Sequence, residues 1–179
     1  TIVDATIISA PSSTKNRDNT RDKEMHSTKK GNQWYFGMKA HVGTDTGKGL
    51  VHSIVVTNAA VHDSQVMDGL LHGEEQSIYG DSAYSSETRK TAYESKGTKW
   101  CVNRKGCRHY QLSPEDVEYN HRQSQTRAKV EHAFRVVKHL WGYQKVRYKG
   151  LFKNTAQVFS LFALADLYLA RHDLMATGV

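Results

Sequence analysis

Three acidic residues, each in different company, carry the chemistry open to this chain. Asp4 sits inside the run Thr1 to Ser9, which is β-branched and apolar on both sides of it. A carboxylate in such a run needs a partner or a metal ion, because isolating its charge from water is costly. Asp81 closes the short run Gln76–Gly80, at the carboxyl end of an expected strand, where α/β sheets place ligand sites. Glu131 lies in the segment Arg127–Lys138. Its apolar positions Val130, Phe134, Val137 and then Trp141 recur at helical spacing. Arg127, Glu131, Arg135 and Lys138, at offsets of four, four and three, stack on one side. One carboxylate is thereby held among three cations. Plainer roles exist: a strand-end turn for Asp4 and a helix cap for Asp81. The apolar surroundings favour a scaffold that gathers Asp4, Asp81 and Glu131 around metal, within several ångströms of one another.

The elements that must position these acids are legible from periodicity. Thr1–Ser9 reads as a buried strand. Trp34–Val42 alternates, with Trp34, Phe36, Met38, Ala40 and Val42 on one face, and Leu50–Thr57 returns after the turn residues Thr44–Gly49, so the pair reads as an antiparallel hairpin. Lys39 and His41, on the other face, point either to the acids or to solvent. Val66, Met67, Leu70 and Leu71 form a helical stripe. Asp63 is expected to cap that helix, with His62 beside the acids. Gln76–Gly80 and Thr98–Asn103 are further strands, with a helix over Ser85–Lys96 between them. Ser113 and Pro114 start another helix, and a continuous helix is expected over Ser124–Leu140. Asn154 is expected to cap the last helix, whose Val158, Leu161, Phe162 and Ala165 face the core. Residues Pro11–Gly31 are polar and basic and read as a long loop.

Composition narrows the partners. The chain has 179 residues, a net charge of +7 and a pI near 9.4, a balance that suits a polyanion such as nucleic acid. Cys101, Cys107 and His109 do not supply the four close ligands of a structural zinc site. The longest apolar run, Val158–Ala170, is interrupted by Asp166 and is too short to span a bilayer. The sequence opens directly in a strand, which leads us to expect an upstream part that is either missing or encoded separately.

The motifs around Asp4, across Lys30–His41, at His62–Asp63, across Tyr79–Tyr84 and across Arg127–Lys138 occur in one order. Together they resemble DDE transposases of bacterial insertion sequences, specifically the insertion-sequence five family within the insertion-sequence four superfamily. The third motif of that superfamily reads Tyr-x-x-Arg-x-x-x-Glu with Lys seven residues on. Arg127, Glu131 and Lys138 match it, whereas Ser124 stands where the motif has Tyr. The resemblance implies a ribonuclease H-like fold over residues 1–179, a mixed five-stranded sheet flanked by helices, without the family's upstream DNA-binding region. It implies Asp4, Asp81 and Glu131 as catalytic metal ligands, with Asp4 bridging two ions. Oxygen ligands make those ions Mg²⁺ or Mn²⁺. Arg127, Lys138 and Arg135 are then expected on DNA phosphates, and His62, Lys39 and His41 beside the acids. The implied activity is cleavage of transposon ends and their transfer to target DNA, by a homo-oligomer on DNA in the bacterial cytoplasm and nucleoid, away from membranes. A nuclease of the same fold and an inactive DNA-binding remnant are the alternatives.

Overall fold

The computed structural model describes residues 1–176. Strand β1 (Ile2–Ser9) owes its form to Ile2, Val3, Thr6, Ile7 and Ile8, whose branched side chains fit a pleated surface. Strand β2 (His26–Lys30) pairs antiparallel with β3 (Gln33–Thr44), and β4 (Val51–Asn58) pairs antiparallel with β3 as well. The register of β1 on β3 runs from Ile2 opposite Thr44 to Ser9 opposite Gly37. Strands β5 (Ser77–Gly80) and β6 (Lys99–Val102) continue the sheet in parallel beyond β1. All five expected strands are present, in a mixed sheet ordered β2-β3-β1-β5-β6 with β4 also on β3.

The sixth strand, β2, corrects the reading of Pro11–Gly31 as loop. Its residues, His26 to Lys30, are all polar and mostly exposed, so no hydrophobic alternation marks it. Backbone pairing with β3 makes it a strand, and its two lysines suit an edge. Gly37 pairs with Ser9 at the end of β1, so close that a Cβ there would run into the carbonyl oxygen of Ile8.

Helix α1 (Asp63–Val66) runs into a 3₁₀ turn at Met67–Leu70. Helix α2 spans Glu87–Glu94. Helix α3 (Pro114–Arg127) starts in a capping box between Ser113 and Asp116. The expected continuous helix over Ser124–Leu140 is in fact three pieces: the end of α3, α4 (Val130–Arg135) and a π turn at Val136–Leu140. Ala128 and Lys129 stay right-handed, and the amides of Glu131 and His132 bond three residues back, to Ala128 and Lys129. The β3–β4 turn lies against this point, where a Cβ on Gly49 would stand 2.6 Å from the Lys129 carbonyl oxygen. The long α5 (Leu151–Ala176) follows.

Helices cover both faces of the sheet. Ile2, Ile8, Met38, Ala40 and Val42 pack with Val130, Phe134 and Val137 and with Val158, Phe162 and Ala165 of α5. Val3 and Ile78 face the other way, onto Met67, Leu70, Tyr84 and Trp100. No helix among the described residues is long and apolar enough to cross a membrane.

Asn154 is not the cap of α5 but lies within its first turn, fully buried. Its amide nitrogen donates to the carbonyls of Tyr148 (2.8 Å) and Gly150 (2.6 Å), and its oxygen accepts from the Tyr148 amide. It ties the Tyr143–Gly150 segment to the helix. Asn154→Ala strands these backbone groups and should cost about 1–3 kcal/mol; urea unfolding should show a lower midpoint, and an unchanged midpoint would refute the role.

Candidate active site

Strand period two puts Asp4 on the same face of β1 as Ile2, Thr6 and Ile8, the face that α4 covers. Its side chain is only 15% exposed. One oxygen accepts the Ala5 amide at 2.8 Å, and the other lies 3.5 Å from Nε of Arg127. Burial pushes its carboxyl up to about 6, while the Ala5 amide and Arg127 pull it down and the charges of Asp81 and Glu131 push it further up. Asp4 therefore feels the charges of both Asp81 and Glu131, although the three come from separate elements.

Asp81 follows the last residue of β5 and caps the 3₁₀ turn Ser82–Tyr84, accepting the Ala83 amide at 2.8 Å through Oδ1. The plain cap role is thus filled by one oxygen. Gly80 allows the close approach that sets this turn against β1, since a Cβ there would lie 3.1 Å from Val3 and 3.2 Å from the ring of Tyr84. Glu131 is in the first turn of α4 and is exposed. Among the described residues no three His, Cys, Asp or Glu side chains stand close enough to form a ready metal site, so the tight cluster expected from the sequence is not preformed. The donors nonetheless fit a hard divalent cation: they are carboxylate oxygens only, one of them largely buried and raised in pKa by that burial.

The cations divide. Arg127, the last residue of α3, is the counter-charge of Asp4. Lys138 lies in the π turn and is half-buried. Its ammonium donates to Thr6 Oγ1 and to the Ile7 carbonyl, both at 3.0 Å, and burial lowers its pKa, with Lys30 adding and Glu131 opposing. Arg135 is exposed and lines, with Glu131, Lys138 and Lys30, a hollow of about 660 Å³ beside β1. Thr6 was missed by sequence reasoning, yet its place two residues after Asp4 on one strand face was a usable signal.

Lys39 and His41 face neither the acids directly nor solvent. They pair with Ile7 and Ala5, on the sheet face opposite Asp4. Lys39 donates to Asp63 (2.9 Å) and to the Val61 carbonyl (2.8 Å). His41 is fully buried, and burial lowers it to about 4, with Asp63 opposing and Lys39 adding. Thr57 donates to the Asn58 carbonyl, so its hydroxyl accepts from His41 Nε2 at 2.9 Å. The N-cap of α1 is His62, whose Nδ1 accepts the Ser64 amide; Asp63 is the first helical residue and the partner of Lys39. An imidazole filled the capping role assigned to the carboxylate. Tyr84 lies between the two clusters. Burial and then the charges of Asp63, Asp4 and Asp81 raise its pKa well above the usual tyrosine value, and its buried hydroxyl has no hydrogen-bond partner among the described residues.

A profile of the transposase DDE domain family matches residues 1–167, so the chain belongs to that family. Its fold is similar to that of a piggyBac transposase seen in a synaptic complex with hairpin DNA, with a TM-score of 0.57 at 10% sequence identity. The match covers 99% of this chain and 48% of the other, so this chain spans about half the length of that relative. The shared architecture is a mixed sheet of five or six strands flanked by helices. Domains of this family generally depend on divalent metal.

The raised pKa of Asp4 has a stability consequence. An unfolded aspartate titrates near 3.8 and the folded one near 6, so the folded chain holds this proton more tightly. The stabilisation is full below the unfolded value and is lost as pH rises through the folded one. Above pH 6 the fold carries the whole cost of the buried charge, so Asp4→Asn should be the more stable protein there, by about 2–3 kcal/mol for a two-unit shift. Below about pH 4 that gain should vanish. Thermal melts across pH check this. Mg²⁺ should raise the melting temperature of wild type and not of Asp4→Asn; equal shifts would refute Asp4 as a ligand.

Proposed function

We propose that this member of the transposase DDE domain family is the catalytic part of an insertion-sequence transposase of the insertion-sequence five type, cutting transposon ends and joining them to target DNA. The observation that carries the reading is Asp4: a buried carboxylate, raised in pKa, within electrostatic reach of Asp81, Glu131 and Arg127. Asp4, Asp81 and Glu131 would hold Mg²⁺ or Mn²⁺, and two such ions supply Lewis-acid activation of the attacking oxygen and stabilise the departing one.

The chain's own residues do the rest. Phosphoryl transfer needs positioning and charge stabilisation more than covalent help. Lys138, anchored to β1 by Thr6 and Ile7, sets a fixed positive charge one step along the strand from Asp4. Arg135, exposed on α4, adds a guanidinium suited to a phosphate. Arg127 neutralises Asp4 and can turn to a phosphate when Asp4 finds another cation. The Lys39–Asp63–His41 cluster holds β3 and α1 together beneath the sheet, and Tyr84 relays that packing to the Asp81 turn. The net charge of +7 favours DNA as the partner. Assembly of two or more copies on transposon ends, in a bacterial cytoplasm beside the nucleoid, completes the reading.

Two variants separate chemistry from binding. Glu131→Ala should reduce metal-dependent cleavage of an end-sequence duplex to background while leaving most of the DNA affinity. Lys138→Ala should keep metal-induced stabilisation, weaken DNA binding, and lower the slope of log affinity against log salt by about one. Cleavage by Glu131→Ala at the wild-type rate would sink the catalytic assignment. Strand-transfer products from wild type would separate a transposase from a simple nuclease.

A further inference from the structure

The hollow beside Glu131 does not end at Lys138. A smaller one of about 220 Å³ adjoins it and shares Thr6, Lys30 and Lys138. A third, of about 670 Å³, shares Ser9, Tyr35 and Lys145 with the second. The three form one trough along the end of β1. It opens where β3 passes the end of β1 at Gly37, and the β2–β3 hairpin projects beyond it. The other wall is the segment after the π turn, where the Ser9 amide donates to the Gln144 carbonyl and the Val146 amide to the Ser9 carbonyl. This wall presents the exposed Lys145.

Cations line the near part of the trough and aromatic rings line the far part. Trp34, Tyr35 and Phe36 are consecutive in β3 and all border the far hollow. Trp34 is 67% exposed, an unusual state for so large an apolar ring. The Arg21 guanidinium sits 5.5 Å from the Phe36 ring centroid, so this end also carries charge. Flat exposed rings beside a row of cations are what proteins use to hold unpaired nucleic acid: the cations follow the phosphates and the rings stack on bases. Paired bases have their faces covered and offer the rings nothing. The middle section, of about 220 Å³, is the smallest of the three.

We infer that this trough binds an unpaired DNA strand leaving the acidic site, with phosphates on Lys30, Lys138 and Lys145 and a base stacked on Trp34. The inference rests on the transposase reading for the direction of the strand. It adds a substrate class, single-stranded flanking DNA, and a contact that chemistry at Asp4 does not require.

The test is binding of a short oligothymidylate, with an abasic oligomer of equal length and a blunt duplex as controls. Trp34 is the most exposed of the three tryptophans, so quenching of intrinsic fluorescence reads its occupancy. Trp34→Ala should weaken oligothymidylate binding roughly five- to 150-fold, the range for loss of one stacked base, and should leave abasic and duplex affinities unchanged. Lys145→Ala should weaken oligothymidylate and abasic oligomer alike. The wide exposure of Trp34 and Lys145 makes both variants foldable, and a melting curve verifies that. Oligothymidylate affinity unchanged in Trp34→Ala, or equal losses for all three ligands, overturns the inference. The assay involves no cleavage, so an inactive chain that binds through Trp34 would overturn the transposase reading alone.

Discussion

The structure depends on one unfavourable placement, a carboxylate on the packed face of β1. Asp4 shares that face with Ile2, Thr6 and Ile8, under α4. A charge there costs stability, and burial registers the cost by lifting its pKa to about 6. Neighbouring features compensate or exploit that cost. Arg127 reaches Asp4 from the end of α3, beside the point where the Gly49 turn lies against Lys129. The Asp81 turn comes close because Gly80 has no side chain to keep Val3 and Tyr84 away. Strained placements of this kind persist where function needs them.

The two faces of the sheet divide the work. One carries the acids, the anchored Lys138 and the trough. The other is closed by a buried ion pair, Lys39 with Asp63, beside a neutral His41. Such a pair stabilises little against an apolar replacement, but losing one partner is expensive. Its effect here is to fix one seating of α1 and of the turn that carries Asp81. Tyr84, packed on that second face, still feels the charges of Asp4 and Asp81 as well as of Asp63.

Much of this was legible in the sequence because the signals were local. The alternation in Trp34–Val42 and the branched run around Asp4 gave strands with the right facing, and an acid inside an apolar run marked itself. What was illegible depended on neighbours distant in sequence. β2 has no apolar residue and exists by pairing with β3. The break between α3 and α4 leaves the apolar stripe intact, so periodicity passes through it; the break lies against a turn some eighty residues away, whose Thr46 carbonyl accepts from the Lys129 side chain. Lys39 and His41 read as facing the acids or solvent because alternation assumes one wet face, whereas helices cover both. The capping role went to His62 because Asp63 was needed by Lys39.

The central claim is that Asp4, Asp81 and Glu131 close on a divalent cation. Anomalous diffraction from crystals of the protein grown with Mn²⁺ tests it most directly. The account predicts manganese coordinated directly by an Asp4 oxygen, with Asp81 and Glu131 completing the coordination and Arg127 turned away from Asp4. Manganese absent from Asp4, or bound at the Asp63 cluster on the opposite face, would contradict it.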